Sequence, residues 1–259
     1  MIFITNRIIS KDVRKRLKTQ ATKAKNGFTL VKLSIVIVII GLIVAGVVGG
    51  QTLVKQAKLR SIVTDMNKYK VALNAFQLEY DAIAGDMTNA SSYWPSCTNA
   101  ANNPCNGNGN KYLDQDGTVK EEVRFWHHLS LAGLTGGNYN GSVASAVYDG
   151  GINHPAGPAE NSIYSMTVSV WLNQPLYNIS YARTPGCNNN PNFGALSGKD
   201  AYSLDAKLDD GVPNTGSIIS LNATTAAGNC TQLTSCISGG QYVLTDDNSF
   251  SCRFLHSLR

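Results

Sequence analysis

A run of 22 consecutive uncharged residues, at positions 33–54, constrains this chain more than any other feature of its sequence. A helix of that length rises about 33 Å, which is enough to cross the hydrocarbon core of a bilayer. Residues 1–27, which precede the run, hold eight lysines and arginines and one aspartate. Because positive charge is retained on the cytoplasmic side, the sequence predicts one membrane span with a cytoplasmic N-terminus and the remaining chain outside.

The positive charge of the whole chain, +5, comes from this basic head. Of the 22 basic and 17 acidic residues, eight and one lie in residues 1–27, so 14 basic and 16 acidic residues remain, a net charge of −2. The rest of the chain therefore lacks the basic surface expected of a nucleic-acid-binding domain, and no nucleic-acid partner is expected.

Six cysteines all lie beyond residue 96. An even number on the outer side of a membrane span indicates disulfides in an oxidising compartment, and the spacings do not match a zinc site. We expect the pairs Cys97–Cys105 and Cys230–Cys236, which close short loops, and then Cys187–Cys252. Six cysteines allow 15 connectivities, so the pairing is a hypothesis.

The segment that joins the basic head to the apolar run reads GFTLVKLSIVIVIIGLI and begins at Gly27. It resembles the N-terminal signature of type IV prepilins and type II secretion pseudopilins. The resemblance implies that a prepilin peptidase cuts after Gly27 and that the new N-terminal residue, Phe28, is N-methylated. It also implies partners: other pilin or pseudopilin subunits, and the bacterial inner membrane, with the ectodomain in the periplasm or in a fibre.

Lys32 departs from this signature, since the family normally has glutamate at the fifth residue of the mature chain. In the family that glutamate pairs with the N-terminal amine of a neighbouring subunit inside the filament. A lysine there places two cations together in a poorly solvated environment. Lys32 therefore argues against ordinary filament incorporation and favours a minor, tip-like subunit or a degenerate copy; the alternative is a lysine that only extends toward the cytoplasmic interface.

Helical periodicity continues beyond the membrane span. Apolar residues recur at alternating spacings of three and four, which predicts one stripe on an amphipathic helix over residues 55–85 that ends near Gly85. The residues of the stripe are Leu59, Ile62, Met66, Tyr69, Leu73, Phe76, Tyr80 and Ile83. This stripe either forms a coiled coil with a sister chain or serves as the spine on which a C-terminal sheet packs; the resemblance to pilins implies the spine.

Residues 86–259 have the composition of a loop-rich exported domain. The sequence predicts a helix from a capping box at Thr118 to about Gly133, and two strands of alternating polarity over residues 164–170 and 177–181, joined by a turn at 173–175. Two further short strands are predicted at 216–221 and 242–245. The segments FWHHLSLAGL and DAKLDDGVPNTG are similar to stretches in a subset of prepilin-like proteins. The expected fold is therefore α+β and pilin-like, with leader 1–27, span 28–54, amphipathic helix 55–85 and ectodomain 86–259.

Calcium is the candidate cofactor, because clustered carboxylates on irregular loops suit hard cations. Two clusters are candidate ligands: one comprises Asp114, Asp116 and Glu121, and the other comprises Asp205, Asp209 and Asp210. Neither matches an EF-hand loop, and both fit ordinary turn and cap chemistry without an ion.

No sequence motif of a hydrolase, a metalloprotease or a nucleotide-binding enzyme occurs. The neighbours His127 and His128 point about 100° apart on a helix, so they cannot easily share one metal ion, and the spacing favours packing or capping. The function predicted is therefore non-catalytic: a structural subunit of a type IV pilus or type II secretion system. The alternative is a membrane-anchored minor subunit or adhesin whose ectodomain binds a ligand without polymerising.

Overall fold

The computed structural model describes residues 5–97, 105–114, 121–141, 150–171, 174–183, 194–222, 235–244 and 251–258. Side chains are described from Leu30 onward, apart from those of residues 169–176. The chain divides into two compact units, Met1–Gln56 and Ala57–Arg259. The fold is α+β, as the sequence predicts, with a long N-terminal helix and an antiparallel sheet nearer the C-terminus.

Helix α1 spans Thr5–Tyr80 without a break, so it forms the first unit and enters the second. In the first unit its apolar side chains from Leu30 to Val54 are exposed, each by half or more of its surface. Within the described residues, the segment Leu30–Tyr80 is the helix that is long and apolar enough to span a membrane.

In the second unit, α1 buries the predicted apolar stripe. Its buried members are Ile62, Met66, Tyr69, Leu73 and Phe76. They belong to the same hydrophobic cluster as the side chains of the sheet. The ring of Tyr69 lies 5.1 Å from that of Tyr164 in the first strand and 4.9 Å from that of Trp126. The stripe is thus covered by the chain's own sheet and helices, which makes α1 the spine of this unit.

The end of α1 differs from the expectation. The helix ends at Tyr80, and Asp81 takes the left-handed conformation (φ 48°) while its amide donates to the carbonyl of Gln77. Gly85 instead forms a later turn with φ 89°, where an added Cβ would collide with the carbonyl of Glu121. Glycine is required at position 85, but not because a helix ends there. It is required because the backbone of Glu121 packs directly against it.

A four-stranded antiparallel sheet has the order β1-β2-β6-β3. Its strands are β1 (Ser162–Trp171), β2 (Gln174–Arg183), β3 (Ile218–Asn222) and β6 (Cys252–Ser257). A second, two-stranded sheet pairs β4 (Ile237–Ser238) with β5 (Gln241–Tyr242). The predicted hairpin is confirmed, since Trp171 pairs with Gln174. Its predicted turn is two residues too long on the C-terminal side, because Gln174 and Pro175 already belong to β2.

The predicted apolar faces of the hairpin are buried at Tyr164, Met166, Ile179 and Tyr181 and half-buried at Val168 and Tyr177. The opposite face is buried as well, including Ser165 and Ser180, which alternation alone assigns to solvent. The predicted strand at 216–221 corresponds to β3. The one at 242–245 corresponds to β5, which ends earlier, at Tyr242, and position 245 lies outside the described residues.

Three α-helices follow α1 in the described residues: α2 (Ala90–Tyr93), α3 (Glu121–Leu131) and α4 (Gly198–Leu208). A single 3-10 turn, Pro95–Cys97, follows α2. Helix α3 is the one predicted from Thr118, although position 118 lies outside the described residues. Helix α4 is not predicted by the sequence; its N-cap Ser197 accepts the amide of Asp200.

Two disulfides are described, Cys97–Cys105 and Cys236–Cys252. The first pair is confirmed. The predicted pairs Cys230–Cys236 and Cys187–Cys252 are wrong, because Cys236 precedes β4 and its Cα lies 4.9 Å from that of Cys252 at the start of β6. Closeness in the fold, rather than closeness in sequence, decides this bridge. Positions 187 and 230 lie outside the described residues.

Candidate functional site

Three aspartates meet at the C-terminal end of α4. Asp205 lies in the last turn of the helix, and Asp209 and Asp210 follow it. One carboxylate oxygen from each lies within 4.8 Å of the others. The second predicted metal cluster is therefore brought together in space. Three carboxylates this close together are able to hold a cation.

The two exposed carboxylates hold the loop between α4 and β3. Asp209 Oδ2 accepts the backbone amides of Ser217 and Ile218, at 2.5 and 3.0 Å. Asp210 accepts the amide of Val212 at 2.8 Å and the hydroxyl of Thr215. These bonds give both side chains a defined position rather than the freedom of an ordinary surface carboxylate.

Glycine at position 216 is required by the same arrangement. Gly216 has φ 76°, and an added Cβ would collide with the carboxylate of Asp209. The backbone of the loop therefore lies so close to the carboxylate of Asp209 that no side chain fits at this position. Steric exclusion of a side chain thus explains the glycine that ends the sequence segment DAKLDDGVPNTG, Gly216.

Asp205 differs from the other two because it is fully buried, with an exposure of 0%. The hydroxyl of Tyr242 lies 2.6 Å from Asp205 Oδ2 and also 2.9 Å from the hydroxyl oxygen of Ser220. Asp205 Oδ1 makes no hydrogen bond with any described residue. A buried polar atom without a partner is unusual and calls for a physical explanation.

The electrostatics of the cluster separate the buried carboxylate from the exposed ones. Burial raises the pKa of Asp205, and hydrogen bonds from the Tyr242 hydroxyl and the Gly211 backbone amide oppose the shift, while the negative charges of Asp210 and Asp209 raise it further. The hydrogen bond from the Thr215 hydroxyl lowers the pKa of Asp210. The environment of Asp205 thus favours either a proton or a cation beside its carboxylate.

The first predicted metal cluster is a different kind of site. Glu121 Oε1 accepts the amide of Asn108, and its Oε2 accepts the amide of Asp114. Asp114 Oδ2 accepts the side-chain amides of Asn108 and Asn110, both at 2.7 Å. Both carboxylates therefore act as acceptors that shape the turn. Asp116 lies outside the described residues.

A third carboxylate in this region, Asp86, is buried and was not predicted. It accepts three consecutive backbone amides: those of Gly109 and Asn110 on Oδ1, and that of Lys111 on Oδ2. Burial raises the pKa of Asp86, and these three hydrogen bonds oppose the shift. Because Asp86 is 23 to 25 residues away from its donors, no local sequence pattern reveals the pairing.

His128 has a structural role, as the sequence suggests. Its Nδ1 accepts the amide of Gly85 at 2.9 Å, so its Nε2 carries the proton and donates to the carbonyl of Cys105, also at 2.9 Å. Burial lowers the pKa of His128 to about 4. Cys97, Cys105 and His128 lie close enough to hold a metal, but both sulfurs are in a disulfide and are not available as thiolate ligands.

The residues of the predicted leader cleavage, Gly27 and Phe28, lie within α1, but their side chains are outside the described set. Lys32 is exposed on the same helix, five residues beyond Gly27. Cleavage, methylation and the effect of Lys32 on assembly remain predictions.

Comparison with family models, with curated proteins and with solved structures finds no match to this chain.

Proposed function

We propose that this chain is a membrane-anchored, pilin-like or pseudopilin-like structural subunit of a type IV pilus or a type II secretion system. The resemblance of the segment starting at Gly27 to the prepilin signature supports the proposal. In the proposal, a prepilin peptidase removes residues 1–27, Phe28 is methylated, and the mature chain is held in the inner membrane with its ectodomain in the periplasm. It then packs through its N-terminal helix with other subunits and catalyses no reaction.

One observation carries most weight: the exposed apolar segment and the buried amphipathic stripe belong to a single uninterrupted helix, α1. A secretory signal or a plain anchor needs no such continuity. A subunit whose helices pack into a fibre does, because one helix carries both the segment that packs in the fibre and the stripe on which the folded domain is built. The pairing of α1 with an antiparallel sheet agrees with the fold that the resemblance implies.

Lys32 supports a second candidate function. A cation at this place disfavours a filament core in which each N-terminal amine needs a counter-charge. On that reading, the chain is a minor or tip subunit, or an adhesin, whose ectodomain binds a ligand while the helix serves only as an anchor.

N-terminal sequencing of the membrane-extracted protein tests the proposal. In cells with an active prepilin peptidase we expect the mature chain to begin at Phe28, and in cells without the peptidase we expect the leader to be retained. Replacing Gly27 by leucine should block cleavage. Gly41→Ala is the matched control, because a Cβ at Gly41 meets nothing within 4 Å and should leave cleavage intact. A full-length chain in peptidase-positive cells would refute the proposal.

A further inference from the structure

We propose that Lys55, Lys58 and Arg60, the basic residues that follow the apolar run on α1, bind the anionic headgroups of phospholipids at the outer face of the membrane. The three residues come directly after the uncharged positions 33–54, and their side chains are exposed. This inference rests on the part of the proposed function that places the apolar segment of α1 in a membrane. It does not depend on leader cleavage or on fibre assembly.

The distance of these residues from the apolar run matches the depth of the headgroups. A helix rises 1.5 Å per residue, so Lys55 lies about 1.5 Å and Arg60 about 9 Å beyond Val54 along α1. The headgroup layer adds roughly 5–8 Å on each side of the hydrocarbon core. Long basic side chains also extend along a helix toward the interface. The three cations therefore reach the level of the lipid phosphates.

The charge of the chain changes sign soon after this cluster. Residues 55–70 hold five basic residues and one acidic residue, a net charge of +4. Residues 71–259 hold eight basic and 15 acidic residues, a net charge of −7. The one acidic residue of the first segment, Asp65, accepts the hydroxyl of Tyr164 at 2.9 Å. Positive charge is thus concentrated beside the membrane in a chain that is otherwise acidic outside it, which indicates a negatively charged partner at that place.

Membrane topology does not explain these cations. Lysine and arginine are usually retained on the cytoplasmic side, and the basic head, residues 1–27, already supplies eight of them. The outer cluster opposes that signal. No acidic residue occurs between Asp12 and Asp65, so the sequence also offers the cluster no nearby carboxylate along the helix. An anionic membrane surface attracts each basic residue near it and would stabilise the cluster.

The arrangement of the three residues around α1 favours lipid over a protein partner. Successive residues of a helix are about 100° apart, so Lys55, Lys58 and Arg60 lie at about 0°, 300° and 140° around the axis. No single face of the helix carries all three. A neighbouring protein contacts one face of a helix, whereas headgroups surround a membrane-spanning helix on every side.

Electron spin resonance of labelled lipids tests the proposal. The full chain is reconstituted in phosphatidylcholine vesicles that contain a trace of spin-labelled phosphatidylglycerol or spin-labelled phosphatidylcholine. The spectra separate lipids immobilised by the protein from free lipids. We expect the wild type to prefer phosphatidylglycerol by roughly tenfold, and we expect about 1 M salt to reduce this preference, because screening then acts within about 3 Å.

Two double variants with the same spacing locate the effect. Lys58→Gln with Arg60→Gln should lower the preference by at least about fivefold, the attraction of one basic residue near an anionic surface. Lys68→Gln with Lys70→Gln is the matched control, because these positions lie about 21 and 24 Å beyond Val54, more than two screening lengths away at about 0.1 M salt. The basic head also attracts anionic lipid, but it is the same in every variant, so the comparison isolates the outer cluster.

A preference that the first double variant leaves unchanged, or that the control lowers equally, would overturn the inference while the membrane anchor stands. An unchanged lipid preference together with weaker recovery of sister subunits would assign the cluster to an acidic protein face instead. If the wild type immobilises neither labelled lipid, the chain does not enter the bilayer, and both the inference and the proposed anchor are wrong.

Discussion

At the scale of single residues, His128 joins two parts of the backbone through one neutral ring. It accepts from Gly85 and donates to Cys105, and protonation of Nδ1 would remove the first of these bonds. Because the pKa is lowered to about 4 in the folded chain and is about 6.5 when unfolded, the unfolded state binds more protons between these values. The neutral ring therefore contributes stability above about pH 6.5, and this contribution is lost as the pH falls toward 4.

Replacing His128 by asparagine tests this linkage. The asparagine Oδ1 can accept the Gly85 amide in place of Nδ1, but its amide nitrogen does not extend as far as Nε2, so the hydrogen bond to Cys105 is lost. We therefore expect a loss of roughly 1–3 kcal/mol in the free energy of unfolding at pH 7. The gap between wild type and variant should narrow by up to about 3 kcal/mol as the pH falls from 7 to 4. Urea unfolding of wild type and variant at several pH values between 7 and 4 measures this gap.

Leu129→Ala is the matched control, because Leu129 is fully buried on the same helix and does not titrate. Its destabilisation relative to wild type should stay constant with pH. Burial raises the pKa values of Asp86 and Glu121, so these two groups favour the folded state at low pH, whereas His128 favours it at high pH. Both groups are present in wild type and in each variant, so their effect cancels when the free energies of unfolding are subtracted. A constant gap for His128→Asn would show that this ring does not titrate with unfolding.

At the scale of elements, β6 connects the parts of the second unit. It lies between β2 and β3 in the sheet, and its first residue, Cys252, is bridged to Cys236 beside β4. The backbone of Cys252 also bonds to Leu196, just before α4. The last strand in the sequence thus ties the small sheet and the α4 region to the main sheet.

Peptide mapping of the unreduced protein should find Cys97–Cys105 and Cys236–Cys252. Cys187 and Cys230 are the two other cysteines of the sequence, so they are expected to form the third bridge. A Cys236→Ser, Cys252→Ser double variant should lose about 3 kcal/mol of stability, since that bridge closes a loop across a separation of 16 residues. A peptide joining Cys230 to Cys236 would contradict the described pairing.

At the scale of the whole molecule, the two proposed functions differ in the consequence that they assign to Lys32. In a fibre of the kind proposed, its ammonium lies near the N-terminal amine of a neighbouring Phe28. Two like charges about 4 Å apart repel by roughly 4 kcal/mol at an effective dielectric constant near 20. Lys32→Glu should therefore increase the amount of protein recovered in sheared fibres, while cleavage after Gly27 is unchanged.

Lys55→Glu is the matched control for this experiment, because it makes the same change of charge at another exposed lysine of α1. It should not increase fibre recovery. If wild type already polymerises as well as the Lys32→Glu variant, a group on a partner subunit must neutralise Lys32, and the electrostatic argument is wrong. If neither form enters fibres while both stay anchored, the ligand-binding alternative gains support.

The sequence by itself determined the elements whose cause is local. Hydropathy identified the potential membrane span of α1, and the spacing of three and four identified its buried stripe, because both patterns follow from helix geometry. Alternation located β1 and β2, since successive side chains of a strand point to opposite faces. The bridge Cys97–Cys105 was also predicted, because its loop is short.

Tertiary structure alone decided what depends on residues far apart in the chain. Cys236 pairs with Cys252 because the ends of β4 and β6 meet, and Asp86 receives the amides of a loop more than 20 residues away. The acidic cluster was visible in the sequence. However, the burial of Asp205 and its contact with Tyr242, 37 residues away, depend on how α4 packs against β5. The burial of a charged side chain such as Asp205 arises from the packing of the whole chain, and no local pattern encodes it.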